Sequence, residues 1–124
     1  MKLEIEPLSQ KDSRWKLKKL GNSSSTIGSY GCLLTCHSML LRYYGHDLLP
    51  DALNELYKQK GVFDGDLINY WKVPLAFPDI QCPQNGFLQC PDVPAPLEVI
   101  DQYLDRKMPV IALVDFDAKT QGLQ

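Results

Sequence analysis

The 124 residues of this chain predict an α+β fold. Three observations carry that expectation. Apolar residues recur at helical spacing over 32–44, 49–61 and 95–109. A β-branched apolar run of strand length, PVIALVDFD (109–117), follows the last of these. Stretches rich in Gly, Ser and Pro separate the periodic segments. With 44% apolar residues at this length the chain buries one core, which predicts a single domain over 1–124.

In chain order, NSSSTIGSYG (22–31) reads as a loop, and CLLTCHSMLLRYYG begins a helix at Cys32 that stops before Gly45. At about 100° per residue its apolar side chains cover most of the circumference, leaving Thr35, Ser38 and Arg42 as the polar strip. Such a helix is central and mostly buried. LPDALNELYKQKG (49–61) has Pro near its start, Gly at its end and apolar residues at Leu49, Ala52, Leu53, Leu56 and Tyr57, the pattern of an amphipathic helix. A short helical turn is expected in DGDLINYWK (64–72). Six prolines over 73–96 keep regular structure there short and irregular. APLEVIDQYLDRKMP (95–109) aligns Leu97, Ile100 and Leu104 on one face of a helix, and the run 109–117 completes the pattern as a buried strand.

Charge and composition exclude several classes. Thirteen basic against fifteen acidic residues leave a net charge of −2, so no positive field draws nucleic acid or anionic lipid. The one basic cluster, KDSRWKLKK (11–19), reads as a solvated face. The longest apolar run is too short to span a bilayer, and no signal-peptide pattern opens the chain. These features predict no membrane insertion, and a cytoplasmic chain or a part of a larger virion or extracellular protein. Four cysteines without a C-x-x-C pair argue against zinc, whether from Cys32, Cys36, Cys82 and Cys90 or with help from His37 or His46. No metal or other cofactor is expected.

The segment TIGSYGCLLTCHSMLLRYYG holds the chemistry-bearing residue. A thiol becomes nucleophilic when its pKa falls, and the first turn of a helix does this through unpaired N–H groups and the macrodipole. Cys32 holds that position, behind a glycine that lets a substrate approach. Cys36, one turn further in among Leu33, Leu40 and Tyr43, reads as packing, since apolar surroundings raise a thiol pKa.

The pattern LSQKDSRW…LGNSSSTIGSYGCLLTCHSMLLRYYG…LPDALNELYKQKGVF…INYW resembles the peptidase family C-39-like group of papain-clan cysteine peptidases, relatives of bacteriocin-leader-processing domains, over roughly residues 7–71. The resemblance implies a papain-like fold: a helical N-terminal part with a central nucleophile helix, then the start of an antiparallel sheet. It implies hydrolysis of an amide in a peptide or peptidoglycan-type substrate. Gln10, in its QxDxxW context, would supply an oxyanion-hole donor, and Cys32 the nucleophile. A side-chain amide and a helix-start N–H then give two donors aimed at one developing oxyanion.

The same resemblance implies a His on a strand after a segment like MPVIALVDFD, followed by Asp or Asn. No His follows His46. His37 lies about 140° around the helix from Cys32 and is expected in the core, bonded to a backbone or tyrosine group. His46 lies on the order of 20 Å along the axis and reads as a turn residue. Asp115 and Asp117 have no base to orient. Two readings follow: a peptidase domain incomplete at its C-terminus, which the unpartnered strand 109–117 favours, or a non-catalytic binding or structural module, as in a phage or cell-surface assembly.

In QCPQNGFLQC (82–90 with its leading Gln) a two-residue turn at Asn85-Gly86 would send Cys82 and Cys90 to opposite faces, whereas a three-residue turn would set them opposite one another at bridging distance. Without an export signal the expectation is free thiols.

Overall fold

The computed structural model describes residues 3–80 and 96–112, and the chain falls into two compact units, Glu4–Pro91 and Asp92–Gln124 with Met1–Leu3. In the first unit two helices carry the core. α1 (Ile27–Tyr30) is a single turn capped by Thr26, whose hydroxyl accepts the Ser29 N–H, and α2 (Cys32–Tyr43) follows after Gly31 alone. The last part of the expected loop is thus helical, because Thr26 supplies an N-cap that a Ser- and Gly-rich composition conceals.

α2 ends as its sequence demands. Gly45 takes a left-handed φ of 95°, its N–H bonds the Arg42 carbonyl, and the His46 N–H returns to Leu41 O at 2.9 Å. The buried face differs from the expected one. Thr35 and Ser38 lie in the core with Leu34, His37 and Leu41, whereas Leu33 is 41% exposed. Both hydroxyls are satisfied by carbonyls, Thr35 Oγ1 donating to Gly31 O and Ser38 Oγ to Leu48 O, so neither needs water.

α3 (Pro50–Gln59) packs on α2 with Pro50, Leu53, Asn54 and Tyr57 buried, while Ala52 faces solvent. Asn54 is buried because it staples the loop before α1: its Oδ1 accepts the Gly21 N–H and its Nδ2 donates to Lys19 O, each at 2.9 Å. A net gain of about 1 kcal/mol for each bond stands against about 1–3 kcal/mol for leaving one partner unsatisfied.

β1 (Phe63–Asp64) and β2 (Leu67–Ile68) form an antiparallel hairpin with Phe63 opposite Ile68 and Asp64 opposite Leu67. Gly65, with φ of 63°, takes the first place of the two-residue loop, as a type II′ connection requires. A 3-10 turn (Tyr70–Lys72) and α4 (Val73–Ala76) follow, so the expected helical turn begins only after the hairpin. Trp15, Leu20, Ile27, Leu34, Leu41, Leu53, Tyr57, Val62, Phe63, Val73 and Phe77 form the core, each large apolar side chain contributing about 1.5–3 kcal/mol of burial.

In the second unit α5 (Leu97–Asp105) lies within the expected 95–109. Leu97 is 68% exposed, because it opens the helix, while Ile100 and Leu104 are half-buried. The helix closes with Lys107 at φ 61° and the Met108 N–H on Tyr103 O. The expected strand 109–117 is not formed over its described part, 109–112. No strand pairs with it among the described residues, and Val110 and Ile111 are exposed. Among the described residues the sheet is the hairpin, and their architecture is α+β with most of the regular structure helical. The Cys82–Cys90 segment lies outside the described residues. Among those described, no helix is long and apolar enough to cross a membrane.

α2 and α3 are also joined by a polar contact, His37 Nδ1 and Tyr57 Oη sharing a hydrogen bond of 2.9 Å. Burial pushes the His37 pKa down to about 4 from 6.5. Between those values the unfolded chain binds the proton and the folded chain does not, so this term removes stability as pH falls from about 6.5 to 4, on the order of 3 kcal/mol in all. Urea midpoints measured across that window should show the slope in the natural chain and lose it in His37→Gln; an unchanged slope would place the titrating group elsewhere.

Candidate active site

The N-terminal arm reaches the start of α2 through one buried tryptophan. Trp15 is in the core, its indole N–H donates to Ser9 O at 2.8 Å, and its own N–H bonds Asp12 O. Asp12 accepts the Arg14 N–H and guanidinium, and the Arg14 hydrogen bonds hold its carboxyl down at about 2. Arg14 stacks on the Trp15 ring at 4.6 Å. The QxDxxW spacing is therefore a folded turn, and it fixes the residue next to Ser9, Gln10.

Gln10 Nε2 donates to Gly28 O at 3.0 Å. In an unbroken helix that carbonyl would accept the Cys32 N–H. Instead α1 closes with the Gly31 N–H on Ile27 O, α2 opens with the Thr35 N–H on Gly31 O, and the Cys32 N–H is left out of the ladder. Gly31 is required at the break, because a side chain there would run into the Ile27 carbonyl.

The two sequence-expected site residues share a groove. Gln10 and Cys32 line one open groove of about 370 Å³ together with Leu8, Ser9 and Lys11 of the arm and Thr35, Cys36 and Met39 of α2. The Cys32 side chain is exposed and Cys36 half-buried, the latter with its pKa raised by burial and then by the charge of Cys32. No acidic residue lies in the first turn of α2, and Lys11 adds a positive charge to the groove.

Neither histidine lines this groove. His37 is buried against Tyr57, the two rings edge to face at 5.8 Å, as expected for a core His. His46 is more than a turn residue: its Nε2 pairs with Asp79 Oδ2 at 2.8 Å and its ring lies over Phe77 at 4.6 Å. That pair holds the Asp79 carboxyl below its ordinary range. Among the described residues no three His, Cys, Asp or Glu side chains converge as metal ligands.

Sequence reasoning missed Lys11, Met39 and the groove face of Thr35. The signal was present, since positions 35, 36 and 39 share a face with 32 at spacings of three, four and seven residues.

No family model, curated protein or solved structure matches this chain. The functional reading therefore stands on the groove and its residues.

The difference in exposure sets an order of reactivity. Limiting iodoacetamide at neutral pH should alkylate Cys32 well before Cys36, read by peptide mass mapping of the folded chain; the reverse order would remove Cys32 as the accessible thiol.

Proposed function

We propose that this chain carries the nucleophile half of a papain-type cysteine peptidase site, with Cys32 as the attacking thiolate and Gln10 as the oxyanion donor. The observation that carries this reading is the broken ladder at Gly31: Gln10 donates to the carbonyl of Gly28, and an exposed thiol and an unspent N–H occur on the same groove-lining residue. The substrate class is an amide of a peptide or peptidoglycan-type chain, whose carbonyl carbon Cys32 attacks. The arriving oxyanion is met by the Cys32 N–H and the Gln10 amide.

Amide cleavage also needs a proton acceptor for the thiol and a donor for the leaving amine. Both histidines of the sequence are engaged elsewhere, with Tyr57 and with Asp79. The base on this reading comes from residues beyond those placed at the groove, and the alternative, a pseudo-peptidase module, keeps the groove for binding alone.

An activated acyl donor separates the two, because its leaving group needs no protonation. With a p-nitrophenyl ester the expected result is a burst of p-nitrophenolate, one per chain, and an acyl group on Cys32. Gln10→Ala should slow that acylation by about 100-fold, while alkylation by iodoacetamide, which forms no oxyanion, keeps its rate. Equal effects on both reactions, or on neither, would reject Gln10 as an oxyanion donor. Peptide amides should show no turnover by the 124-residue chain; hydrolysis abolished by Cys32→Ala would mean that a base is already in place.

A further inference from the structure

We propose that Cys32, Cys36 and Met39 form a binding site for a soft monovalent metal ion, Cu(I), held by two thiolates and a thioether. The three residues occupy positions 0, 4 and 7 of one helix, within an arc of about 60° at 100° per residue. All three line the same groove. The Met39 sulfur is already held in place, since it accepts the Leu8 N–H at 3.3 Å, and a thioether keeps a second lone pair for a metal.

The geometry favours an ion over a disulfide. Cβ atoms four residues apart on a helix are about 5–6 Å apart, whereas a disulfide needs about 3.5–4.5 Å. A metal ion seated between the two sulfurs bridges the larger gap without unwinding the helix.

The donor set selects the metal. No carboxylate lines the groove, so it offers nothing to a hard divalent cation, and thiolates with a thioether suit Cu(I). Two thiolates around a monovalent ion leave one net negative charge, and Lys11 in the groove complements it. The site uses Cys32 as a ligand and does not depend on its acting as a nucleophile.

The test is an anaerobic titration of the reduced 124-residue chain carrying Cys82→Ser and Cys90→Ser with Cu(I), in competition with a chromophoric Cu(I) chelator. One Cu(I) per chain is expected. Cys36→Ser should weaken binding by about 100-fold and Met39→Leu, which keeps side-chain volume, by about tenfold, with the far-UV circular dichroism unchanged. The same losses should follow when these two substitutions are made with Cys82 and Cys90 intact. Bound Cu(I) should also protect Cys32 from iodoacetamide. Affinity untouched by Cys36→Ser or Met39→Leu, or binding lost on replacing Cys82 and Cys90 alone, would overturn the site. Cu(I) binding without acylation of the metal-free chain would reject the peptidase reading and leave this one standing; acylation without Cu(I) binding would do the opposite.

Discussion

One hydrogen bond organises the candidate site, that from the Gln10 amide to the carbonyl of Gly28. A helix running from residue 27 to 43 would spend that carbonyl on the Cys32 N–H and bury the start of α2 inside a continuous cylinder. With the arm on that carbonyl and Gly31 at φ −90° and ψ 23°, outside the helical region, α1 and α2 are separate elements and Cys32 is a first residue instead of a middle one. Everything upstream serves to bring Gln10 there: Trp15 in the core, its indole on Ser9, and the Asp12–Arg14 clasp around the turn. The energetic weight lies in the burial of Trp15, since the Asp12–Arg14 pair is exposed and surface ion pairs contribute little.

The opposite side of α2 is built for stability. His37 and Ser38 are polar residues in a core, satisfied by Tyr57 and by Leu48, while Thr35, which also lines the groove, is buried and bonded to Gly31. Buried polar groups cost little once bonded and much when not, so they fix the rotation of α2 about its axis more strictly than interchangeable leucines would. That rotation puts Cys32, Cys36 and Met39 on the groove side. Packing on one face and three sulfur-bearing side chains on the other are thus consequences of a single orientation.

Much of the helical layout was legible in the sequence. Gly45 ending α2, Pro50 opening α3 and the apolar spacing of 97–105 are local signals, governed by φ, by a missing N–H and by a 3.6-residue period. The Gly65-Asp66 pair is an equally local hairpin signal, set in a segment whose residues 70–72 also turn helically. The run 109–117 carries strong strand propensity, yet its described part has no strand to pair with, because propensity cannot provide the partner on which a strand depends.

By itself the sequence determined that Cys32 follows a glycine at the head of a helix, that Cys36 sits one turn inside it, and that His37 lies around the helix away from the thiol. These follow from periodicity along one segment. Only the tertiary structure decided that Gln10 shares a groove with Cys32, that Asn54 rather than Ala52 is buried, and that both histidines are engaged by Tyr57 and Asp79. Each of these joins residues 18 to 33 positions apart, or depends on such a contact, and a hydrogen bond across that distance is set by how the elements pack, which no local pattern encodes.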